Sequence, residues 1–195
     1  YPANSTDLNF DGITIVDNNL SNNIMLKFNS SGTVIMGKNF YAKNDSNYSY
    51  AWPNAVIFDG NDFIMNGTFI KPLTKDYIGL SGSTFTSHYP NESYIPMLAK
   101  ISPSGDVVWE KPIFSSRNNT GNYVNIDIDE NRNIYLAPWV SDRIFIDNIE
   151  YSYDANNGNR VIEKFNTNGT LQYIKSFDKA LVSYPIIDVV KNDVF

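Results

Sequence analysis

Four oxygen-bearing side chains alternate along one short segment, and this spacing is typical of a calcium-binding loop. They are Asp127, Asp129, Asn131 and Asn133. Carboxylate and amide oxygens at every second position are the early ligands of such a loop. Arg132 stands where the loop needs glycine, and no glutamate follows at the last ligand position. We therefore favour a hairpin tip without a cofactor, since Asp and Asn are common turn formers, and keep calcium as the alternative.

Residues able to drive catalysis are few. His88 is the only histidine, so a Ser-His-Asp arrangement would have to use it, and a histidine-rich metal site is impossible. It lies in a polar segment, residues 86–91, which indicates an exposed loop residue. Asp127 and Asp188 occupy matching positions in two similar segments and could form the carboxylate pair of a glycosidase. Acidic residues are common in such segments, so we predict no catalytic residue.

Exposed aromatic side chains are the stronger functional signal. Four of them lie near predicted strand ends or beside a long polar loop: Trp139, Trp52, Tyr89 and Tyr94. Aromatic rings beside Asn and Asp side chains suit sugars, through stacking and hydrogen bonds. The same rings could instead pack between strands, so a structural role stands beside the predicted ligand-binding role.

The composition excludes several classes of function. The chain has 195 residues, 42% of them hydrophobic, and a formal net charge of −6. Nucleic acids and anionic membranes both favour basic surfaces, so neither is an expected partner. Cysteine is absent, which excludes disulfides, thiol chemistry and cysteine-ligated metals. The sequence has no apolar run of about 18 residues, and we predict no membrane insertion.

A repeated hairpin positions many of these residues. Residues 27–34, 100–107 and 164–171 share a lysine, a strand, a polar turn and a glycine, which accepts the positive φ that a tight turn needs. Each return strand carries a large residue and a lysine two positions apart, which places both on one face. These pairs are Met36 and Lys38, Trp109 and Lys111, Tyr173 and Lys175. We interpret the repeated lysines as solvated positions on outer strands, where they discourage edge pairing.

Two further elements complete the repeat. A second hairpin, tipped with Asp, Asn or Gly, recurs at residues 55–65, 124–136 and 186–195. A connector of short strands or ordered loop recurs at residues 9–15, 77–85 and 144–151. Four antiparallel strands in each unit, repeated along the chain, are typical of a β-propeller blade. No segment has sustained helical periodicity.

We therefore predict an all-β protein, a single β-propeller segment of four-stranded antiparallel blades. It comprises a half blade at 1–40, blades at 53–114 and 123–177, and a half blade at 184–195. The terminal halves could combine into a third blade, but propellers usually have four to eight. We favour a partial propeller from a longer chain, because arrays of this kind need capped ends.

The pattern resembles the bacterial SBBP-type β-propeller repeat family. Its units read loosely as D-x-x-G-N-I-Y-V, then F-D-G-x-x-L-T, then A-K-F/Y-x-x-x-G-x-x-x-W-x-K. Residues 133–136 resemble the first of these motifs, residues 9–14 the second, and residues 99–111 the third. The glycine after the second strand is Gly67 in one unit but Pro138 in the next, and the tryptophan occurs only as Trp109. The resemblance implies a propeller and a secreted or surface-exposed protein, often exported by the type IX system. It implies no common catalytic activity.

The expected function is a non-enzymatic module, extracellular or on the cell surface, for adhesion or for binding a glycan or a surface protein. One alternative is part of a secreted carbohydrate-active enzyme whose catalytic residues lie partly elsewhere. A third is a structural or cargo module of a larger surface protein, handled by the export machinery.

Overall fold

The computed structural model describes residues 7–15, 23–40, 50–70, 76–86, 88, 94–115, 125–140, 143–153, 159–177, 187–191 and 193–194. Within these ranges every regular element is a β-strand, and every strand pairing is antiparallel. The prediction of an all-β protein is confirmed. These ranges contain no helix that could cross a bilayer.

The first unit consists of a connector hairpin and an outer hairpin. Its strands are β1 (Leu8–Phe10), β2 (Ile13–Ile15), β3 (Asn23–Phe28) and β4 (Val34–Phe40). The turn between β1 and β2 places the Asp11 carboxylate 2.7 Å from the Val34 amide nitrogen, which donates a hydrogen bond to it. Gly37 admits β2 closely, because a Cβ there would lie 2.7 Å from Ile15. The connector hairpin is therefore docked on β4.

The second unit has six strands. They are β5 (Tyr50–Phe58), β6 (Phe63–Ile70), β7 (Asp76–Ile78), β8 (Thr84–Thr86), β9 (Tyr94–Ile101) and β10 (Val107–Pro112). Four of them form one sheet in the order β5-β6-β9-β10, and β7 pairs with β8 as the connector between β6 and β9. The register sets Phe63 opposite Ile101 and Ile64 opposite Lys100.

The third unit follows the same order. A short strand, β11 (Phe114–Ser115), follows the second unit. The strands of the third unit are β12 (Ile126–Ile128), β13 (Ile134–Leu136), β14 (Trp139–Val140), β15 (Arg143–Ile146), β16 (Ile149–Ser152), β17 (Asn159–Phe165) and β18 (Leu171–Phe177). Strands β12, β13, β17 and β18 pair in sequence, and β15 with β16 forms the connector. Pro138 separates β13 from β14, since proline has no N–H for a ladder, and both strands pair with β17.

A last hairpin, β19 (Val189–Val190) and β20 (Asp193–Val194), stands after the third unit. Its Val189 amide donates to the Asp127 carboxylate at 2.6 Å, which attaches the hairpin to β12. The described strands form separate sheets that do not close into a ring.

The core lies between successive units. Ile64 and Leu98 of the second sheet pack with Ile134 and Val161 of the third, all at most 1% exposed. On its other face the second sheet packs Met65 and Met97 against the first unit. A smaller cluster joins the third sheet to the last hairpin: Tyr135, Ala137 and Ile187. The second and third sheets therefore each bury residues on both faces, one face against each neighbour.

The large residue of an outer strand packs on the turn glycine of the next unit. A Cβ on Gly105 would lie 3.3 Å from Met36, and one on Gly169 would lie 3.1 Å from the Trp109 ring. Both glycines have positive φ, 86° and 76°. The Trp109 indole N–H also donates to the Thr167 carbonyl at 3.3 Å. This contact explains why the large residue and the glycine recur together in the sequence.

The inner lysines differ from the prediction. Lys100 is 9% exposed, on the inner strand β9, and its ammonium lies 2.9 Å from Asp59 and 3.2 Å from Asp62. Lys164, on β17, lies 3.4 Å from Asp129. The prediction of solvated, outer positions is wrong for these two lysines, because buried turn carboxylates lie beside them.

The second set of lysines is on outer strands, as predicted. Lys175, on β18, is exposed. Lys38 pairs with Asp106 of the next unit at 3.1 Å, and Lys111 pairs with Asp147 of the next unit. These outer lysines therefore also join neighbouring units.

Candidate functional site

A cleft of about 430 Å³ lies where the second and third units meet. Its walls are β8 and the following His88, the outer strand β10, β11, and the turn between β15 and β16. Strand β11 pairs with β15, with Phe114 opposite Phe145, and so ties the end of the second unit to the connector of the third. We call this site the junction cleft.

Aromatic rings form one wall of the junction cleft. The imidazole of His88 is centred 3.6 Å from the Phe145 ring, with 34° between the planes, and 5.1 Å from the Phe114 ring. Phe114 is buried and His88 is exposed. The stack is therefore anchored in the core at one end and open to solvent at the other. A flat ring of this kind can stack on the apolar face of a sugar.

An ion pair crosses the cleft from one unit to the next. The Lys111 ammonium contacts the Asp147 carboxylate, whose other oxygen accepts the Leu171 amide hydrogen at 3.3 Å. The Lys111 side chain is 16% exposed, and the Asp147 side chain, at the turn, is 33% exposed. Asp147 and Asn148 both have positive φ, as in a tight two-residue hairpin turn. This turn carries Asp147 toward the preceding unit.

Glu110 fixes the opposite wall. Its carboxylate accepts hydrogen bonds from the Leu80 amide at 2.6 Å, the Ser81 amide at 3.2 Å and the Ser81 hydroxyl. Gly79 allows this approach, because a Cβ there would collide with the Glu110 carboxylate. The connector turn is thus held against β10, next to Lys111.

The two carboxylates of the cleft are both committed to the fold. Glu110 is held by three donors of the connector turn, and Asp147 by Lys111 and the Leu171 amide. A carboxyl group that acts as a general acid or base must be able to reach a substrate proton. Besides these two carboxylates the cleft offers a ring face, an ammonium with neutralised charge, and the exposed residues Thr84 and Thr86. These features suit the binding of a ligand.

Three of the four predicted aromatic residues are on strands β5, β9 and β14, outside the described walls of the junction cleft. Trp52, in β5, is opposite Thr68, which is opposite Pro96, and Tyr94 lies two residues before Pro96 on β9. The backbone therefore places Trp52 and Tyr94 at one end of the second sheet, where the Tyr94 side chain is 41% exposed. Trp139, in β14 of the third sheet, is opposite Arg160. Tyr89 and the side chains of Trp52 and Trp139 lie outside the described part of the chain.

Two of the four predicted calcium ligands, Asp127 and Asp129, accept hydrogen bonds from different parts of the backbone. Asp127 accepts the amides of Ile128 at 2.8 Å and Val189 at 2.6 Å. Asp129 accepts the backbone and side-chain N–H groups of Asn133 at 2.8 and 2.7 Å. Asn131 is exposed at the turn. In the described ranges no group of three or more acidic or histidine side chains is arranged to hold a metal ion, and calcium at this turn stays a prediction.

Asp129 is the centre of a buried network. Its carboxylate also accepts the Tyr135 hydroxyl at 3.0 Å and faces Lys164. Burial alone would raise the pKa of Asp129, but the hydrogen bonds from Asn133 and Tyr135, with the Lys164 cation, hold it below its ordinary value. The carboxylate is thus stabilised in its charged form by the protein itself.

Sequence analysis did not identify the residues of the junction cleft. Glu110, Lys111, Phe145 and Asp147 are on three different strands and turns, and the sequence does not show that these meet. One signal was present: the connectors of the first and third units both carry an acid at the turn, Asp11 and Asp147. Each accepts the amide of the first residue of the outer strand in its own unit.

No family model matches the chain. No curated protein matches it significantly. Membership of the SBBP-type repeat family therefore stays a prediction based on the motifs.

Proposed function

We propose that this chain is a glycan-binding module and that the junction cleft holds a neutral oligosaccharide. The observation that carries the proposal is the His88 ring, stacked on Phe145 at the mouth of a cleft with polar walls. Protein sites for sugars combine an aromatic face with a few hydrogen-bonding groups. The volume of about 430 Å³ lies within the usual range of small-ligand pockets.

The charges of the cleft favour a neutral ligand. The Lys111 cation is compensated by Asp147, and Glu110 adds a further negative charge on the neighbouring residue. The whole chain carries a formal charge of −6. An acidic sugar would meet net repulsion at this site, whereas hydroxyl groups can bond to the amide, carboxylate and ammonium groups of the walls.

The proposal extends to the architecture and its setting. We assign the second and third units as β-propeller blades, supported by the shared strand orders β5-β6-β9-β10 and β12-β13-β17-β18, each with its connector hairpin after the second strand. The similarity to the SBBP-type repeats supports an exported, surface-exposed protein that uses the module for adhesion. The same similarity is the support for export by the type IX system.

Affinity measurements on a single-residue variant test the function. A panel of immobilised neutral glycans selects a ligand, and calorimetry then compares the parent chain with His88→Ala. We expect binding about five- to tenfold weaker in the variant, since an aromatic contact contributes about 1 kcal/mol. His88 is exposed, so thermal unfolding should not change.

Tyr94→Ala is the matched control, because Tyr94 is an exposed aromatic outside the cleft. It should leave the affinity unchanged. Binding that survives His88→Ala but is lost in Tyr94→Ala would overturn the junction cleft and favour the end of the second sheet. Turnover of the glycan by the isolated chain would overturn the binding-only function.

A further inference from the structure

The His88 ring is open to solvent at the mouth of the junction cleft. One of its faces lies on Phe145, with the ring centres 3.6 Å apart, and the Phe114 ring meets it edge-on at 5.1 Å and 71°. His88 is exposed, whereas Phe114 is buried. The two phenylalanine rings therefore support the imidazole and leave its outer face for a ligand.

The charged groups around this ring belong to two elements of the cleft walls. Strand β10 contributes Glu110 and Lys111, and the turn between β15 and β16 contributes Asp147. The residues that β8 and β11 add to the described walls are threonine and phenylalanine, which carry no titratable group. Two carboxylates and one ammonium leave these walls with one negative charge while His88 is neutral.

Histidine differs from the other residue types of these walls in the pH range of its titration. An imidazole of ordinary pKa changes charge between about pH 5 and 8, a range in which ordinary carboxylates and ammonium groups keep their charge. One proton on His88, the only histidine of the chain, would therefore cancel the negative charge of the walls.

The surroundings of the ring favour its present position after protonation as well. A cation over the face of an aromatic ring is attracted by the negative charge of that face. Phe145 lies directly against the imidazole, and Glu110 and Asp147 place two carboxylates in the same cleft. Protonation therefore changes the charge that a ligand meets and keeps the ring on which the ligand stacks.

The two protonation states of the ring suit different ligands. A neutral aromatic ring offers a negative face to the polarised C–H groups of a sugar, and an imidazolium lacks that negative face. An imidazolium has instead a positive charge and two N–H donors, which suit a carboxylate. The same site is thus matched to a neutral sugar in one state and to an acidic sugar in the other.

We propose that His88 is the specificity-determining residue of the junction cleft, and that its protonation shifts the preferred ligand from a neutral to an acidic glycan. The inference rests on the proposed glycan binding and adds the charge of the ligand to it. With His88 neutral the net negative walls disfavour a carboxylate, and with His88 protonated a uronic acid carboxylate pairs with the imidazolium.

Glycan binding at two pH values tests this inference. An array presents neutral oligosaccharides, each beside the same oligosaccharide with one CH₂OH group oxidised to a carboxylate, and is probed at pH 8 and at pH 5.5. The added carboxyl group is ionised at both, since its ordinary pKa is about 4. From the higher to the lower pH we expect the affinity for the acidic glycan to rise about fivefold, as for an exposed ion pair, and that for its neutral counterpart to fall by about half.

The matched variant is His88→Phe, which keeps a flat aromatic ring and has no proton to gain. It should prefer the neutral glycan at both pH values, and its affinity for each ligand should be the same at both. A pH dependence as large in His88→Phe as in the parent chain would overturn the proposal, because the titrating group would then be another residue.

The imidazole itself gives a second readout. His88 is the only histidine, so the carbon-bound protons of its ring report a single titration in NMR spectra. Coupling between two binding events is reciprocal, so a saturating neutral glycan should move the midpoint of this titration to lower pH, and its acidic counterpart should move it to higher pH. A midpoint that bound glycan leaves unchanged would contradict the proposal.

The outcomes separate this inference from the proposed function. A neutral glycan bound equally well at both pH values would overturn the role of His88 and leave glycan binding at the cleft in place. An acidic glycan bound equally well at both pH values would overturn the role of His88 and the neutral ligand. No binding of either class at either pH would overturn the inference together with the proposed function.

Discussion

Buried aspartates in the turns of the β5–β6 and β12–β13 hairpins hold neighbouring strands together. Asp59, with its side chain 1% exposed, accepts the amides of Asn61 at 2.9 Å and Asp62 at 2.7 Å and pairs with Lys100. In the third unit Asp129 and Lys164 repeat this arrangement, with Tyr135 as a further donor. The polar turn is thereby joined to the third strand of its own sheet.

Removing the cation should be costly. Lys100→Met leaves Asp59 buried without its ion-pair partner, and loss of one member of a buried pair costs about 3 kcal/mol. We expect the free energy of unfolding in urea to fall by about this amount. Lys175→Met is the control, because Lys175 is exposed and should change stability by less than about 0.5 kcal/mol. Equal effects of the two substitutions would contradict the buried pair.

The same acids predict a loss of stability in acid. Burial would raise the pKa of Asp59, but the Asp62 amide and Lys100 hold it below its ordinary value of 3.8, as Asn133 and Tyr135 do for Asp129. A lowered pKa in the folded state stabilises the fold above about pH 3.8, and this contribution is lost as pH falls through the folded pKa.

Urea unfolding at a series of pH values below 5 measures this contribution. Asp129→Asn should lower the free energy of unfolding at pH 7 and flatten its decline below about pH 4, because the titrating group is gone. A decline as steep as in the parent chain would show that Asp129 does not contribute to the acid dependence.

At the scale of elements, the turn glycine of one unit packs against a large residue on the outer strand of the preceding unit. Gly169 combines a φ of 76° with a Trp109 ring at 3.1 Å from a built Cβ. Gly32 has a similar φ of 83° but no neighbour within 4 Å. Comparing substitutions at the two glycines therefore separates the energetic cost of backbone strain from the cost of a steric clash.

We expect Gly169→Ala to destabilise the chain by about 2 kcal/mol and Gly32→Ala by about 1 kcal/mol. The excess at Gly169 measures the Trp109 contact. Thermal or urea unfolding gives both values. Equal losses of stability in the two variants would show that the Trp109 ring moves aside at no energetic cost and that the contact between units is weak.

Local elements were predictable because their signals are local. The polar turns ending in Gly105 and Gly169, and the alternating strands beside them, follow from neighbouring residues. The burial of Lys100 was not predictable, because its partner Asp59 is 41 residues earlier in the chain. Glu110 was missed for the same reason, since its donors are in a connector 29 and 30 residues earlier.

At the scale of the whole molecule, successive units share a buried apolar core between them but differ in their surface ion pairs. Lys38 of the first unit pairs with Asp106, while Lys111 of the second unit pairs with Asp147 of the next connector. The His88 stack occurs at the second of these junctions. A ligand site can therefore be particular to one junction although the framework repeats.

The location of a bound glycan can be measured directly by backbone amide NMR during a titration with a neutral oligosaccharide. We predict that the amides of residues 84–88, 110–114 and 145–148 shift together and saturate with one dissociation constant. Shifts confined to the end of the second sheet, around Trp52 and Tyr94, or to Trp139 in the third, with the junction cleft unchanged, would contradict glycan binding at this cleft.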